Sequence, residues 1–374
     1  MISQNIKEKF RKQHYGMVGN HSMVKICGWT KSMIKNEGGC YKLKFYGIMS
    51  HQCMQMTTSL SCANRCIFCW RDYKEPVSKK WDGCVDEPEF ILNESLKAQE
   101  KLLVGIKGAK KANRKLYNES KNVKHVALSL TGEPIIYPKI NEIIKRFNEK
   151  GISTFLVTNA QYPEEIKNLS PITQLYLSVD APNKKLLKEI DKPLFEDYWE
   201  RLNKSLEYLS EKKQRTCIRL TLIKEINITD TEGYVNLIKK GNPDFIEVKG
   251  YIHVGASIKR LKRKNMPYHE DVIAFTKKLI KHLPEYEIVS EHISSRVVML
   301  AKKKFKKCEK WYTWIDFEKF NELALCRKEF ETEDYLKITP LGSIGLSGKG
   351  SLDREDPKFR HKIPLAQLVK IEKA

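Results

Sequence analysis

Three cysteines stand close together in the segment SCANRCIFCW, at Cys62, Cys66 and Cys69. Thiolates at such spacing bind zinc or an iron–sulfur cluster. A structural zinc ion normally has four protein ligands, but after Cys69 the next cysteine is the distant Cys84. Three thiolates on a four-iron cluster leave one iron open, and an open position on a metal can bind a substrate or cofactor. The spacing therefore favours a cluster with an exchangeable position over zinc.

A second set of three cysteines lies nearer the N-terminus, at Cys27, Cys40 and Cys53, with thirteen-residue intervals. Two interpretations are open. Free cysteine is often buried, so these could be structural thiols. Alternatively, three thiolates delivered to one point would again leave an iron open. The remaining cysteines have no spacing partner and are interpreted as ordinary thiols: Cys84, Cys217, Cys308 and Cys326.

The charge balance indicates a polyanionic partner. The chain has 68 Lys and Arg against 46 Asp and Glu, a net charge of +22. Such a surplus attracts nucleic acid, although a lysine-rich solvated surface is the alternative. The N-terminus is polar, without the apolar stretch of a targeting segment, and no apolar run approaches the ~18 residues of a membrane span. We expect a cytoplasmic protein that contacts no membrane and uses its cysteines for metal or catalysis.

From residue 51 onward, strand-like and helix-like segments alternate, which predicts an α/β fold of parallel strands with right-handed crossovers. The pattern allows a complete or partial β/α barrel or an open doubly wound sheet. The predicted strands are residues 51–60, 124–130, 153–159, 173–180, 215–223 and 244–250. Helices are predicted at 138–150, 195–211, the segment DTEGYVNLIKK and 269–283, and residues 285–303 are predicted to be extended. Residues 1–50 and the basic residues 304–374 fall outside the alternation and are predicted to cap the barrel.

Chemically suggestive residues follow the predicted strands. They are the Cys62–Cys69 loop, the TGEP segment at residues 131–134, Asn159, and the pair Ser178 and Asp180. In β/α folds ligands collect at the carboxyl ends of the strands. This placement predicts one active site there.

The first cysteine group resembles the signature of the radical S-adenosylmethionine superfamily, with Phe68 as the aromatic residue before the last cysteine. The resemblance implies a partial (βα)6 TIM-like barrel over residues 51–303 and a [4Fe-4S] cluster whose open iron binds S-adenosyl-L-methionine. TGEP resembles the superfamily's Gly-Gly-Glu-Pro segment, with Thr131 in place of a glycine, and implies that Gly132 and Glu133 recognise the amino group of the cofactor. Further cofactor contacts are expected from residues at or beyond strand ends, the alternative for each being local capping: Asn159, Ser178, Asp180 and Asn227.

Longer segments resemble one family within that superfamily, the archaeal-type tRNA 4-demethylwyosine synthases. They include SLSCANRCIFCW, SLTGEPIIYP, SVDAP and KGYIHVGAS, whereas LGSIGLSGKGSLDRED at 341–356 lacks an expected Trp and Phe. The resemblance implies a second [4Fe-4S] cluster on Cys27, Cys40 and Cys53. It also implies that Lys42 forms a Schiff base with a keto group, for which the amine must be unprotonated. Lys44 is the alternative, since on a strand it would share a face with Lys42.

The implied reaction is a lyase-class, ring-forming condensation. The substrate would be N1-methylguanosine next to the anticodon of tRNA-Phe, and pyruvate would supply two carbons to form the tricyclic 4-demethylwyosine base. We expect the base to be flipped out and stacked against aromatic side chains, and the candidates for contacting it are Trp70, Arg71, Tyr268 and Trp311–Trp314. The chain has no flavodoxin-like segment, so we expect an external flavodoxin or ferredoxin as electron donor, and a monomer.

Two other functions fit parts of the pattern. A radical enzyme could act on a protein or a small metabolite, and would then bind no RNA. A zinc- or cluster-containing RNA-binding protein without catalysis would use the cysteines and the basic charge only.

Overall fold

A ten-stranded sheet is the centre of the computed structural model, which describes residue 8 and residues 10–71, 76–326 and 329–347. Along the sheet the strand order is β1-β2-β3-β4-β5-β6-β7-β8-β10-β9. The strands are β1 Gly16–Val18, β2 Ser22–Lys25, β3 Cys53–Thr57, β4 His125–Leu128, β5 Ser153–Thr158, β6 Gln174–Ser178, β7 Thr216–Leu222, β8 Phe245–Gly250, β9 Tyr286–His292 and β10 Val297–Lys302.

Strands β3 to β8 are parallel and lie side by side in chain order. Helices of the described chain include α1 Gly28–Ile34, α2 Tyr41–Tyr46, α3 Pro88–Lys107, α4 Arg114–Glu119, α5 Ile140–Glu149, α6 Pro163–Lys167, α7 Lys184–Asp191, α8 Tyr198–Ser210, α9 Thr231–Gly241, α10 His269–Ile280 and α11 Phe317–Leu325. Six parallel strands with intervening helices confirm the predicted partial β/α barrel.

The apolar pattern explains these elements. In α5 the residues at helical spacing, Ile140, Ile143, Ile144 and Phe147, are all buried. Strand β4 is buried along its whole length, as expected for a parallel strand covered on both faces. The outer helices and the outward strand residues form the larger core. None of the helices in the described part of the chain has the length and apolar content of a membrane-spanning segment.

Antiparallel strands extend both edges of the barrel. Strand β2 pairs with β3, so part of the N-terminal segment continues the sheet. At the other edge, β10 pairs with both β8 and β9. The expected extended segment 285–303 is thus a hairpin, with a turn at Ile293–Ser295. The proposed boundaries at residues 50 and 303 stay a prediction.

Helix α2 fills the interior of the barrel. Its side chains Tyr41, Phe45 and Tyr46 belong to a second core together with inward residues of the strands, Phe155, Tyr176, Cys217 and Phe245. The C-terminal segment covers the helix from outside. There Thr313 Oγ1 donates to Phe45 O at 2.8 Å and Trp314 Nε1 donates to Lys44 O at 3.1 Å. Of the predicted C-terminal extension, residues 327–328 and 348–374 lie outside the described residues, as do residues 1–7 and 9 of the N-terminal one.

Candidate active site

The loop with Cys62, Cys66 and Cys69 follows β3 at the carboxyl end of the barrel strands. Three backbone hydrogen bonds of 2.8 Å hold it against the end of α7 and the residues beyond: Arg65 N to Asp191 O, Ile67 N to Ile190 O, and Leu194 N to Ala63 O. From the other side, Arg260 Nε donates to Ile67 O at 3.0 Å and Arg260 Nη2 donates to Cys69 O. The loop is therefore clamped between segments distant in sequence.

The three thiols of this loop lie within electrostatic range of one another. Burial raises the pKa of the Cys62 thiol to about 12 and that of Cys66 well above its usual range. Cys62 Sγ accepts hydrogen bonds from Asn64 N at 3.4 Å and from Asn159 Nδ2 at 3.5 Å. Because desolvation disfavours bare thiolates, a cationic iron centre is what would stabilise them here. The donor set fits an iron–sulfur cluster.

Glu133 presents a buried carboxylate beside this loop. Its Oε2 accepts from Asn159 N at 2.9 Å, whereas Oε1 has no hydrogen-bond partner among the described residues. Burial raises the pKa of Glu133 to about 7. The preceding Gly132 has φ of +67°, and a Cβ there would lie 2.0 Å from Ser59 O. Glycine thus permits the close approach, and the unpaired oxygen fits a ligand that donates hydrogen bonds, such as an amino group.

Asp180 follows β6 and is also buried. Its Oδ1 lacks a hydrogen-bond partner in the described chain, and burial raises the pKa of its carboxyl to about 6. The neighbouring Ser178 Oγ accepts from Arg219 Nη2 at 3.5 Å. Asp180, like Glu133, therefore has a carboxylate oxygen available to a ligand.

Asn227 has the local capping contacts that were the alternative to a cofactor contact. Its Nδ2 donates to Asp180 O and Thr221 O, both at 2.8 Å, and its Oδ1 accepts from Ile223 N at 2.6 Å. The residue is fully buried. Since both amide hydrogens are used, Asn227 holds the strand ends in position and has no donor left for a cofactor.

The second set of cysteines is brought together from three elements. Cys27 and Cys40 directly precede α1 and α2, and Cys53 begins β3. Cys40 lies within electrostatic range of Cys27 and Cys53. Burial raises the pKa of the Cys40 and Cys53 thiols to about 12. The thirteen-residue intervals thus correspond to proximity in space.

Neither set has the geometry of a single-ion site. Among the described residues, no three His, Cys, Asp or Glu side chains are placed to hold one metal ion. The ligand atoms of a tetrahedral zinc ion must all lie about 2.0–2.3 Å from the same metal centre. Thiolates of a four-iron cluster bind separate irons, so they need not converge in this way.

A cavity of about 390 Å³ connects the two cysteine regions inside the barrel. Its wall includes Cys27, Cys40 and Cys53 together with Phe68 and Trp70 from the other cysteine loop. Among the stacking candidates, Trp70 lines this cavity, whereas Trp311 is buried in the second core and Trp314 contacts α2. These two tryptophans therefore serve packing.

Lys42 projects into the cavity from α2. Its Nζ lies 4.5 Å from the centre of the Tyr176 ring. The strand assumed for Lys42 and Lys44 was wrong, because residues 41–46 are helical and positions two apart then point about 200° apart. Lys44 Nζ instead donates to Glu291 O at 2.9 Å, and burial lowers its pKa. Of these two lysines, Lys42 is the one that lines the cavity.

Two cationic residues of the cavity wall, Arg219 and Lys249, were missed in the sequence. Lys249 Nζ donates to Ser295 O at 2.9 Å, and burial lowers its pKa to about 8. In a chain with 68 Lys and Arg, residue type alone does not distinguish a binding-site cation from a surface one. Strand alternation was the available clue, since Arg219 and Lys249 each lie on the inward face of a predicted strand.

Comparison with known families places the chain among characterised sequences. Residues 56–238 match the Radical SAM superfamily and residues 240–302 match the family described as wyosine base formation. The tRNA 4-demethylwyosine synthase TYW1 of Mus musculus is 45% identical over 97% of this chain and 51% of that protein. The enzyme of Schizosaccharomyces pombe is 48% identical over 94% and 52%. The chain thus spans about half the length of these curated relatives.

Solved structures agree with the sequence comparison. A structure of TYW1 with a lysine-pyruvate adduct bound is 36% identical, with a TM-score of 0.73, over 81% of this chain and 97% of that one. The crystal structure of archaeal TYW1 is 32% identical, with a TM-score of 0.66, over 81% and 98%.

Proposed function

The chain belongs to the tRNA 4-demethylwyosine synthase family of radical S-adenosylmethionine enzymes, and we propose that it condenses N1-methylguanosine of tRNA-Phe with pyruvate. The product is the tricyclic base 4-demethylwyosine. One observation carries the proposal: a single cavity lined by Lys42 and three cysteines reaches the loop that holds the other cysteine group. A keto acid at Lys42 and a cofactor at that loop would share one enclosed space.

Cys62, Cys66 and Cys69 are the proposed ligands of the first [4Fe-4S] cluster, with S-adenosyl-L-methionine on its open iron. When bound, this pair would supply the radical chemistry that removes hydrogen from the methyl group of the substrate. The residues of the chain bind and orient the cofactor. Glu133, with Gly132 before it, would accept a hydrogen bond from the amino group of the cofactor, and Ser178 and Asp180 would form the neighbouring polar wall.

Asn159 contributes by orienting these groups. Its backbone N–H holds Glu133 Oε2, and its side chain donates toward Cys62 Sγ. Asn227 acts one step further away, by holding the carbonyl of Asp180. Both residues thus position the cofactor site, and Asn159 is the one close enough to touch it.

Lys42 is the proposed nucleophile toward pyruvate. Its unprotonated amine attacks the keto carbon, and loss of one water leaves a Schiff base. Cys27, Cys40 and Cys53 are the proposed ligands of a second [4Fe-4S] cluster in the same cavity. The lysine-pyruvate adduct reported for a solved TYW1 structure supports chemistry of this kind.

The basic surface is the proposed contact for tRNA. The net charge of +22 provides attraction to phosphates, and a flipped guanine could stack on Trp70 at the cavity wall. We further propose that the protein acts as a monomer with an external flavodoxin or ferredoxin as reductant.

Anaerobic turnover tests the proposal. The reconstituted protein is incubated with N1-methylguanosine-containing tRNA-Phe, pyruvate, S-adenosyl-L-methionine and dithionite, and the nucleosides are analysed by mass spectrometry. We expect 4-demethylwyosine only when pyruvate is present, and none with Cys62→Ala. Formation of 5′-deoxyadenosine without any change in the tRNA would favour a protein or metabolite substrate instead. Absence of 5′-deoxyadenosine would exclude radical catalysis.

A further inference from the structure

We propose that Arg219 and Lys249 bind the carboxylate of the 2-oxo acid that reacts with Lys42, and so select an oxo acid over a neutral ketone. The inference rests on the proposed function, because it concerns the substrate of the same cavity. It assigns a specificity role to two residues on adjacent strands, neither of which is a thiol or the nucleophile.

The strand register places the two cations together. Strands β7 and β8 are parallel neighbours, with Arg219 opposite Glu247 and Thr221 opposite Lys249. Residues two apart on a strand share a face. Arg219, Thr221 and Lys249 accordingly all line the cavity, and the charges of Arg219 and Lys249 influence each other.

Glu247 does not line the cavity, although its charge reaches Arg219 and Lys249. It is fully buried, and its two carboxylate oxygens accept hydrogen bonds from Tyr46 at 2.9 Å and from Tyr41 at 3.0 Å. Along the described wall of the cavity no residue is Asp or Glu, while Arg219 and Lys249 are basic, in addition to the proposed nucleophile Lys42. The space therefore favours an anion.

Both cations retain donors that could face such an anion. Lys249 Nζ has three N–H groups and gives one to Ser295 O at 2.9 Å. The guanidinium of Arg219 has five, and within the described part of the chain it donates a long hydrogen bond to Ser178 Oγ at 3.5 Å. Burial and the nearby Arg219 lower the pKa of Lys249, which a bound carboxylate would reverse. Guanidinium and ammonium groups are the usual partners of carboxylates.

The chemistry of the reaction gives this pair a purpose. A keto acid held by its carboxylate presents its keto carbon at a fixed distance from the anchor, so it can be directed at the amine of Lys42. A ketone without the carboxylate would enter the cavity unoriented. Selection for pyruvate would thus occur before the Schiff base forms.

Site-resolved trapping tests the inference without tRNA or turnover. The reconstituted full chain is treated with cyanoborohydride over a range of pyruvate concentrations, and the adduct on Lys42 is quantified by peptide mass spectrometry. We expect Lys249→Met to raise the half-saturating pyruvate concentration by about 10- to 100-fold, the loss typical of a charge-assisted hydrogen bond. Lys249→Arg should stay within about tenfold of the wild type, since it keeps the cation.

Matched controls separate anchoring from general damage. Lys44→Met removes a buried lysine outside the cavity wall and should leave trapping unchanged. Hydroxyacetone, a ketone without a carboxylate, should be trapped equally in the wild type and in Lys249→Met. Iron content and thermal unfolding of each variant are measured in parallel.

Three results would overturn the inference. The half-saturating pyruvate concentration could be the same in Lys249→Met as in Lys44→Met. The variant could lose pyruvate and hydroxyacetone trapping to the same extent. It could also lose iron, which would assign the cations to the cluster. No pyruvate adduct on the wild type would instead contradict the proposed function itself, and the carboxylate site with it.

Discussion

The side-chain nitrogen of Lys42 lies 4.5 Å from the centre of the Tyr176 ring, at the boundary between the cavity and the second core. The lysine belongs to α2, which enters from the N-terminal segment, and the tyrosine belongs to β6 in the middle of the barrel. A cation over an aromatic face gains about 0.5–2 kcal/mol, depending on its exposure. The contact therefore holds the amine at a defined place.

Lys42→Arg separates two properties of the lysine side chain, its positive charge and its ability to act as a nucleophile. Arginine can keep a positive charge over Tyr176, but its guanidinium stays protonated and cannot form the Schiff base. We expect complete loss of the cyanoborohydride-trapped pyruvate adduct with iron content retained. Lys44→Arg is the control and should trap normally. An adduct that persists in Lys42→Arg would show that another lysine is the nucleophile.

Removal of the N-terminal thiols should remove one cluster. Two four-iron clusters predict about eight irons per chain, and replacement of Cys27, Cys40 and Cys53 by alanine should leave about four. The exposed cysteines Cys84, Cys308 and Cys326 provide a matched triple variant that should keep all the iron. Iron and sulfide are measured after anaerobic reconstitution. Equal iron in the two triple variants would contradict a second cluster.

Gly132→Ala should lower the unfolding free energy by more than the strain of a positive φ alone would. Gly132 and Gly151 have nearly the same φ, +67° and +68°, but a Cβ at Gly132 meets Ser59 O at 2.0 Å, whereas at Gly151 the nearest atom is 3.8 Å away. Gly151→Ala should cost about 1–2 kcal/mol of unfolding free energy, and Gly132→Ala at least about 1 kcal/mol more, because backbone must shift. Urea unfolding measures both. Equal costs would mean that the close approach is not required.

Glu247→Gln tests whether the hydrogen bonds from Tyr41 and Tyr46 to Glu247 hold α2 inside the barrel. Glutamine keeps one acceptor oxygen, so one of the hydroxyls of Tyr41 and Tyr46 would lose the acceptor for its hydrogen in a fully buried place. We expect a loss of about 1–3 kcal/mol in unfolding free energy. Trapping on Lys42 should also weaken, since the same helix carries it. The exposed Glu285→Gln serves as control, and a stability equal to that control would show that the two hydrogen bonds do not hold the helix.

Buried His125 predicts a loss of stability in mild acid. Burial lowers its pKa from 6.5 to about 3, and its Nδ1 lies 2.7 Å from Ser153 Oγ. Between these two pKa values the unfolded chain binds a proton that the folded chain does not, so stability falls as the pH drops below 6.5.

The expected contribution is about 2 kcal/mol between pH 6.5 and 5. The unfolding free energy of His125→Gln should therefore decrease by about 2 kcal/mol less than that of the wild type over this interval. Urea unfolding at several pH values measures the difference. The exposed His282→Gln should keep the slope of the wild type. Identical slopes in all three proteins would mean that His125 is protonated in the folded state.

The regular part of the barrel was predictable from local pattern. Each predicted parallel strand contains the observed one, and α5 begins and ends within the predicted helix, because apolar periodicity reports which face is buried. The long helix α3 was not predicted, and a clear error concerned residues 41–46. Their alternation of apolar residues and lysines suggests a strand, but burial inside the barrel stabilises a helix of six residues that would be marginal alone.

The amino-acid sequence by itself determined the chemistry that is available: two sets of three cysteines, a glycine-glutamate turn, and a strongly basic chain. These are properties of residue type and short spacing, which survive without a fold. Only the tertiary structure decided which groups meet. It placed Cys27, Cys40 and Cys53 around the cavity that holds Lys42, turned Lys44 away, and brought Arg219 beside Lys249. Such proximity arises from strand register and from a helix packed inside the barrel, and both depend on contacts between residues far apart in the chain.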